Sequence, residues 1–249
     1  VTKFAAGNGP VWSGNLFPFL FITIACGAVS GFHALISSGT TPKMLSNEAD
    51  ARAIGYGGML MEACVAVMAL IAACVLDPGV YFAMNAPVAA LGSTVDSAAQ
   101  AIAGWGFVVT PDALAETARQ IGETTILSRT GGAPTLAVGM ARILHGLFGG
   151  TGMLAFWYHY AILFEALFIL TTIDAGTRVA RFMIQEFLGL AIPSFQRTES
   201  WTANVACTAL AVAGWGWFLV QGVTDPLGGI NTLWPLFGIA NQMLAGIAL

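Results

Sequence analysis

One stretch limits what this chain can fold into more than any other. Residues 53–76 read "AIGYGGMLMEACVAVMALIAACVL", in which Glu62 alone is charged. About 20 apolar residues in helical form span the hydrocarbon layer of a bilayer. A second run, "MLAFWYHYAILFEALFILTTI" at 153–173, has the same character, with Glu165 its only acid. The whole chain is 57% hydrophobic and 9% charged, with a mean hydropathy of +0.77, whereas a soluble domain carries about 25% charge. The composition specifies an integral membrane protein and argues against a soluble helical protein with an unusually apolar core.

The expected fold class is all-α, a polytopic membrane helix bundle forming a single transmembrane domain over 1–249. Crossings are expected at about 16–45, 53–76, 153–173, 203–222 and 233–249, with an outer loop or lid over about 77–150 that does not cross. Within that region Thr110 is placed to cap a surface helix, with Pro111 at its first position and Asp112 in its first turn. "PTLAVGMARILHGLFGG" is too short and polar to cross, and reads as a re-entrant or interfacial helix. An amphipathic connector with arginines is expected from residue 174 to about 202. Lys43, Arg52, Arg178, Arg181 and Arg197 follow the first and third crossings, so the positive-inside rule places those connections in the cytoplasm. The start at Val1 and the stop at Leu249 inside an apolar run read as a piece of a longer chain. The net charge of −4 is spread out and gives no nucleic-acid footprint. The four cysteines, Cys26, Cys64, Cys74 and Cys207, stand singly in apolar runs without metal-ligand spacing and read as small buried hydrophobes.

The first expected crossing is too long and too polar for one straight helix. Gly27, Gly31 and Gly39 divide it, and Pro42 disfavours a helical Thr41. Unwound backbone in a membrane is tolerated only where protein or water satisfies it. A helix broken near Gly27–Gly31 would aim freed N–H groups and a positive dipole end at an anionic substrate group. Gly27, Ser30, Gly31 and His33 are therefore the candidate substrate-binding residues. The competing reading is an intact helix whose small residues allow close packing.

Two intramembrane acids are candidates for coupling. Gly55, Gly58, Ala66, Ala69 and Ala73 fall within about 40° of Glu62 on a helical wheel, which predicts that Glu62 faces another helix. Its bland alternative is a packing residue near the segment's end. Glu165 shares a face with Thr172, and Thr171 lies beside it. A carboxylate with hydroxyls can hold a hard cation, or exchange a proton when burial raises its pKa. His159, Trp157, Tyr158 and Tyr160 read as an interfacial belt. Arg142 with His145, i,i+3 on the interfacial helix, read as side chains reaching for headgroups, with contact to substrate the alternative. A membrane-embedded metallohydrolase using His145, His159 and Glu165 is the enzymatic rival, but no HExxH or similar spacing supports it.

"ACGAVSGFHALISSGTTPKMLSNEADARAIGYGGMLMEA", "LFEALFILTTIDAGTRVARFMIQEFLG" and "LWPLFGIANQMLAGIAL" resemble the carbon starvation protein A (CstA) family over nearly the whole chain. The resemblance implies a multi-pass inner-membrane protein of bacteria or archaea that takes up peptides or pyruvate under nutrient limitation, related to the amino acid–polyamine–organocation transporters. It further implies about one repeat of an inverted-repeat fold with a broken first helix, and places Thr171 and Thr172 near a cation position of sodium-coupled relatives. The expected activity is secondary active transport of small organic nutrients. The coupling ion is the proton, with Na+ as the second candidate, and no other cofactor or metal is expected. The partners implied are a small-molecule substrate (a peptide or organic acid), the lipid bilayer and the remainder of a full-length chain. A membrane nutrient sensor or scaffold with a transporter-like fold is the alternative.

Overall fold

The computed structural model describes residues 4, 6–11, 14–17, 20–21, 24, 35–150, 152–197, 200–224, 236, 238–240, 242–244 and 246–247. Among them the regular structure is helical. A π-helical turn, Ile36–Thr40, leads into α1 (Thr41–Met44). It is followed by α2 (Asp50–Val75), α3 (Pro78–Asn85), α4 (Val88–Leu91), α5 (Val95–Gly104), α6 (Pro111–Ile121), α7 (Ala133–Phe148) and α8 (Met153–Gly189). A 3-10 turn at Pro193–Gln196 then precedes α9 (Trp201–Thr224). The chain divides into two compact units, one of residues 1–16 and 56–169, the other of 17–55 and 170–249.

Three helices, α2, α8 and α9, are long and apolar enough to cross a membrane. They occupy the second, third and fourth expected crossings. The first and fifth are described only in part, and the expected break at Gly27–Gly31 lies outside the described residues. The large apolar side chains of the three helices are mostly exposed, Met61, Leu70, Leu163, Leu170, Trp217 and Leu219 among them. Such surfaces suit lipid or further helices and not water.

The first unit holds most of the core. Helix α3 starts where the Asp77 carboxylate accepts hydrogen bonds from the N–H groups of Gly79 (2.8 Å) and Val80 (3.4 Å), with Pro78 in the first turn. Thr94 and Ser97 form a capping box on α5. As the sequence predicts, Thr110 caps α6 by accepting from the Ala113 N–H, at 3.2 Å, and Gly122 closes that helix in the left-handed region. These short helices pack Val80, Met84, Leu91, Ile102, Leu114, Ile121 and Ile126 against Ala137, Val138 and Ala141 of α7 and Tyr158 and Ala161 of α8. Each fully buried aliphatic side chain contributes about 1.5–3 kcal/mol, so the region is a packed helical layer and not a loose loop. Gly139 brings α7 against α2: a Cβ built there would lie 2.2 Å from the Ala72 carbonyl oxygen.

In the second unit, two expectations change. Thr41 stays in the right-handed helical region (φ −58°, ψ −44°). The irregularity sits one step earlier, where the Thr41 N–H reaches back to the Ile36 carbonyl in a π turn. Pro42 has no N–H and its ring crowds the carbonyl four residues back, and the wider turn relieves that crowding. The second change is that α8 does not stop near residue 173. Asp174 and Arg178 pair at 2.8 Å one turn apart, no proline intervenes before Pro193, and Val179, Phe182 and Gln185 make a buried stripe. The expected connector is thus the second half of a 37-residue helix, which at 1.5 Å per residue is about 55 Å long.

Candidate functional site

The candidate substrate residues Gly27, Ser30, Gly31 and His33 lie outside the described residues. The coupling candidates are described. Glu62 sits mid-way along α2 rather than near its end, and its side is exposed. Of the small-residue stripe beside it, Gly55 and Gly58 have open space where a Cβ would stand, whereas Ala69 and Ala73 are half-buried. The close contact of α2 is made elsewhere, by Ala72 with Gly139, because that is where α7 comes alongside.

Glu165 is half-buried on α8, in the first unit. The residue before it, Phe164, joins Tyr160 and Ala161 of α8, Val65 and Met68 of α2, and Leu136 and Met140 of α7 around an apolar cavity of about 120 Å³. Thr171 and Thr172 are exposed on α8 and belong to the second unit.

Three groupings escaped the sequence reading. Tyr158 is not part of an aromatic belt: it is 2% exposed, and its hydroxyl donates to Glu123 Oε1 at 3.2 Å while Arg129 pairs with Glu123 at 2.7 Å. Ser128 holds the same loop to α3, its N–H bonding to the Ala83 carbonyl and its hydroxyl to the Ala86 carbonyl, both at 2.9 Å. Trp157, by contrast, stacks on Phe148. In the second unit, buried Gln185 donates to Asn204 of α9 at 2.7 Å. Asn204 within the apolar run "WTANVACTAL" was the available signal for that pair. Lastly, Arg119 and Gln120 of α6, Arg142, His145 and Gly146 of α7, the glycines 150 and 152, and Leu154 and Ala155 of α8 line an open basin of about 920 Å³. The Arg142–His145 pair is visible in sequence, where it fits either headgroups or substrate; its neighbours Arg119 and Gln120 are not visible as such.

Cys207 is buried as expected, whereas Cys64 and Cys74 are exposed on α2, and Cys26 lies outside the described residues. Among the described residues no three His, Cys, Asp or Glu side chains gather as metal ligands. His145, His159 and Glu165 are not brought together: His159 turns back to the Ala155 carbonyl at 2.7 Å.

Comparison with known proteins places this arrangement. The model of the family described as carbon starvation protein CstA matches residues 1–249. The peptide transporter CstA of Escherichia coli (strain K12) is 69% identical over 254 residues, covering 100% of this chain and 36% of the relative. The peptide transporter CstA of Campylobacter jejuni is 62% identical, covering 100% and 35%. The pyruvate/proton symporter BtsT of Escherichia coli (strain K12) is 56% identical over 271 residues, covering 100% and 38%. The chain thus spans about a third of the length of these curated relatives. No solved structure matches. With its full length matched by one family model and its spanning helices in place, the chain belongs to the carbon starvation protein CstA family.

Proposed function

We propose that this chain is part of a secondary active transporter that carries a small organic nutrient, a peptide or pyruvate, across the inner membrane of a bacterium or archaeon in company with a proton. It acts as a carrier and not as an enzyme. The observation that carries the reading is the intramembrane acid of α8: Glu165 is half-buried in an apolar helix able to span the bilayer, next in sequence to Phe164, which lines an apolar cavity. An ionised carboxylate at the centre of a spanning helix is unfavourable by about 2.5–3.5 kcal/mol. A residue needed only for packing would be better served by Leu or Gln. The names of the relatives, peptide transporter and pyruvate/proton symporter, support both the substrate class and the coupling ion.

In this reading Gly27, Ser30, Gly31 and His33 supply half of the substrate site, and the remainder of the full-length protein supplies the rest. Glu165 loads and releases the proton, with Glu62 second in line. Thr171 and Thr172 offer hydroxyl oxygens to a cation, the place where Na+ would act if it replaced the proton. The inverted-repeat architecture follows from the same reading. The test is Glu165→Gln in the full-length protein, reconstituted in proteoliposomes. Gradient-driven uptake is abolished while expression and thermal stability are kept, and substrate exchange at equal pH survives, because exchange never returns an empty, deprotonated carrier. Uptake with an unchanged pH profile would make Glu165 structural.

A further inference from the structure

The basin between α6, α7 and the start of α8 has the chemistry of an anion site. Arg119, Arg142 and His145 line it, and among the described residues no carboxylate does. Of the two arginines, Arg119 is already paired with Glu116. Arg142 is half-buried and has no ion pair among the described residues. Its one described hydrogen bond is a long one, 3.5 Å, to the Thr117 hydroxyl, which already donates to the Ala113 carbonyl. A guanidinium presents a planar fork of donors that matches an oxyanion two bonds at a time, and partial burial strengthens its pull on one.

The remaining lining is mixed. Gln120 adds a side-chain amide, Gly146 and Gly152 leave open space where a Cβ would stand, and Leu154 and Ala155 add apolar surface. The basin is open and about 920 Å³, room for a small organic anion together with water, and the nanodisc arm of the test below separates such an anion from a lipid headgroup.

We propose that the basin is a binding site for the carboxylate of a small organic anion, with Arg142 as the residue that holds it. The choice of probes rests on the transport reading, but the site itself does not. Full-length protein in phosphatidylcholine nanodiscs is treated with phenylglyoxal, which modifies accessible arginines, and modification is followed at each arginine by peptide mass spectrometry. Pyruvate or L-alanyl-L-alanine, raised to about ten times its Kd, slows modification of Arg142 by about tenfold, because only the unoccupied site reacts. L-alanyl-L-alanine amide, lacking the carboxylate, gives no such protection, and exposed Arg197 reacts at one rate throughout. Arg142 modified equally fast with and without pyruvate would overturn the proposal, as would equal protection by the amide. Protection by phosphatidylglycerol nanodiscs alone, with pyruvate adding nothing, would identify a headgroup site instead and overturn it too. No gradient is applied, so the two readings fail separately. A protein that protects Arg142 but accumulates no substrate keeps the site and loses transport; one that transports with Arg142 unprotected loses the site alone.

Discussion

Gly139→Ala should separate α7 from α2. The added Cβ would stand 2.2 Å from the Ala72 carbonyl oxygen, 2.6 Å from its carbonyl carbon and 2.8 Å from its Cβ. Carbon and carbonyl oxygen rest no closer than about 3.3 Å, so the helices must part by about 1 Å. The nearest atom is backbone, and no side-chain rotation can make room. A radial gap of that size forfeits about a quarter to a half of the dispersion attraction along the contact, and overpacking of this kind costs about 1–3 kcal/mol. Alanine gains about 1 kcal/mol over glycine in a helix interior, which offsets part of the loss. Gly146→Ala on the same helix is the control, because a Cβ there meets nothing within 4 Å and only the propensity gain applies. Thermal unfolding of the full-length protein in detergent should rank Gly146→Ala at or above the parent and Gly139→Ala below it. The two should differ by the overpacking cost of about 1–3 kcal/mol, read as a lower melting temperature for Gly139→Ala. Ala72→Gly should not rescue the variant, since it leaves the carbonyl in place. Equal melting temperatures for the two alanine variants would refute the close approach of α7 to α2.

Two further substitutions test the first unit. Thr110→Ala removes the side-chain acceptor at the start of α6 and should cost about 1 kcal/mol, read as a lower melting temperature that Thr110→Ser restores. Tyr158→Phe deletes the hydroxyl that reaches Glu123 and should cost about 1.5–3 kcal/mol, the range for a hydrogen bond to a charged group. Faster amide exchange across residues 123–129 should accompany it, and unchanged exchange there would show that the hydroxyl does not hold the loop.

The parts legible in sequence were those governed by local chemistry. Thr110, Pro111 and Asp112 state a helix start within three residues, and the structure shows that cap. The long apolar runs at 53–76 and 203–222 correspond to α2 and α9, because uninterrupted apolar length is itself the signal. What failed was whatever depended on distant partners. Asp174, Gly176 and Arg178 looked like the end of a span, since charge normally marks the interface. In the structure the Asp174–Arg178 pair supports a helix that continues through them. Tyr158 reads like its neighbours in an aromatic cluster, and only the arrival of Glu123 from the loop after α6 separates it from them. The arginine basin was invisible as such, because Arg119 and Arg142 meet only through the packing of α6 on α7.

The central claim is that this family member moves its substrate with protons. The most direct measurement is uptake of labelled pyruvate or dipeptide by full-length protein in proteoliposomes, with and without an imposed inward proton gradient. The account predicts accumulation above the equilibrium level when the gradient is present and collapse to that level when a protonophore is added. Saturable binding without accumulation under either condition would contradict it, and would make the protein a sensor.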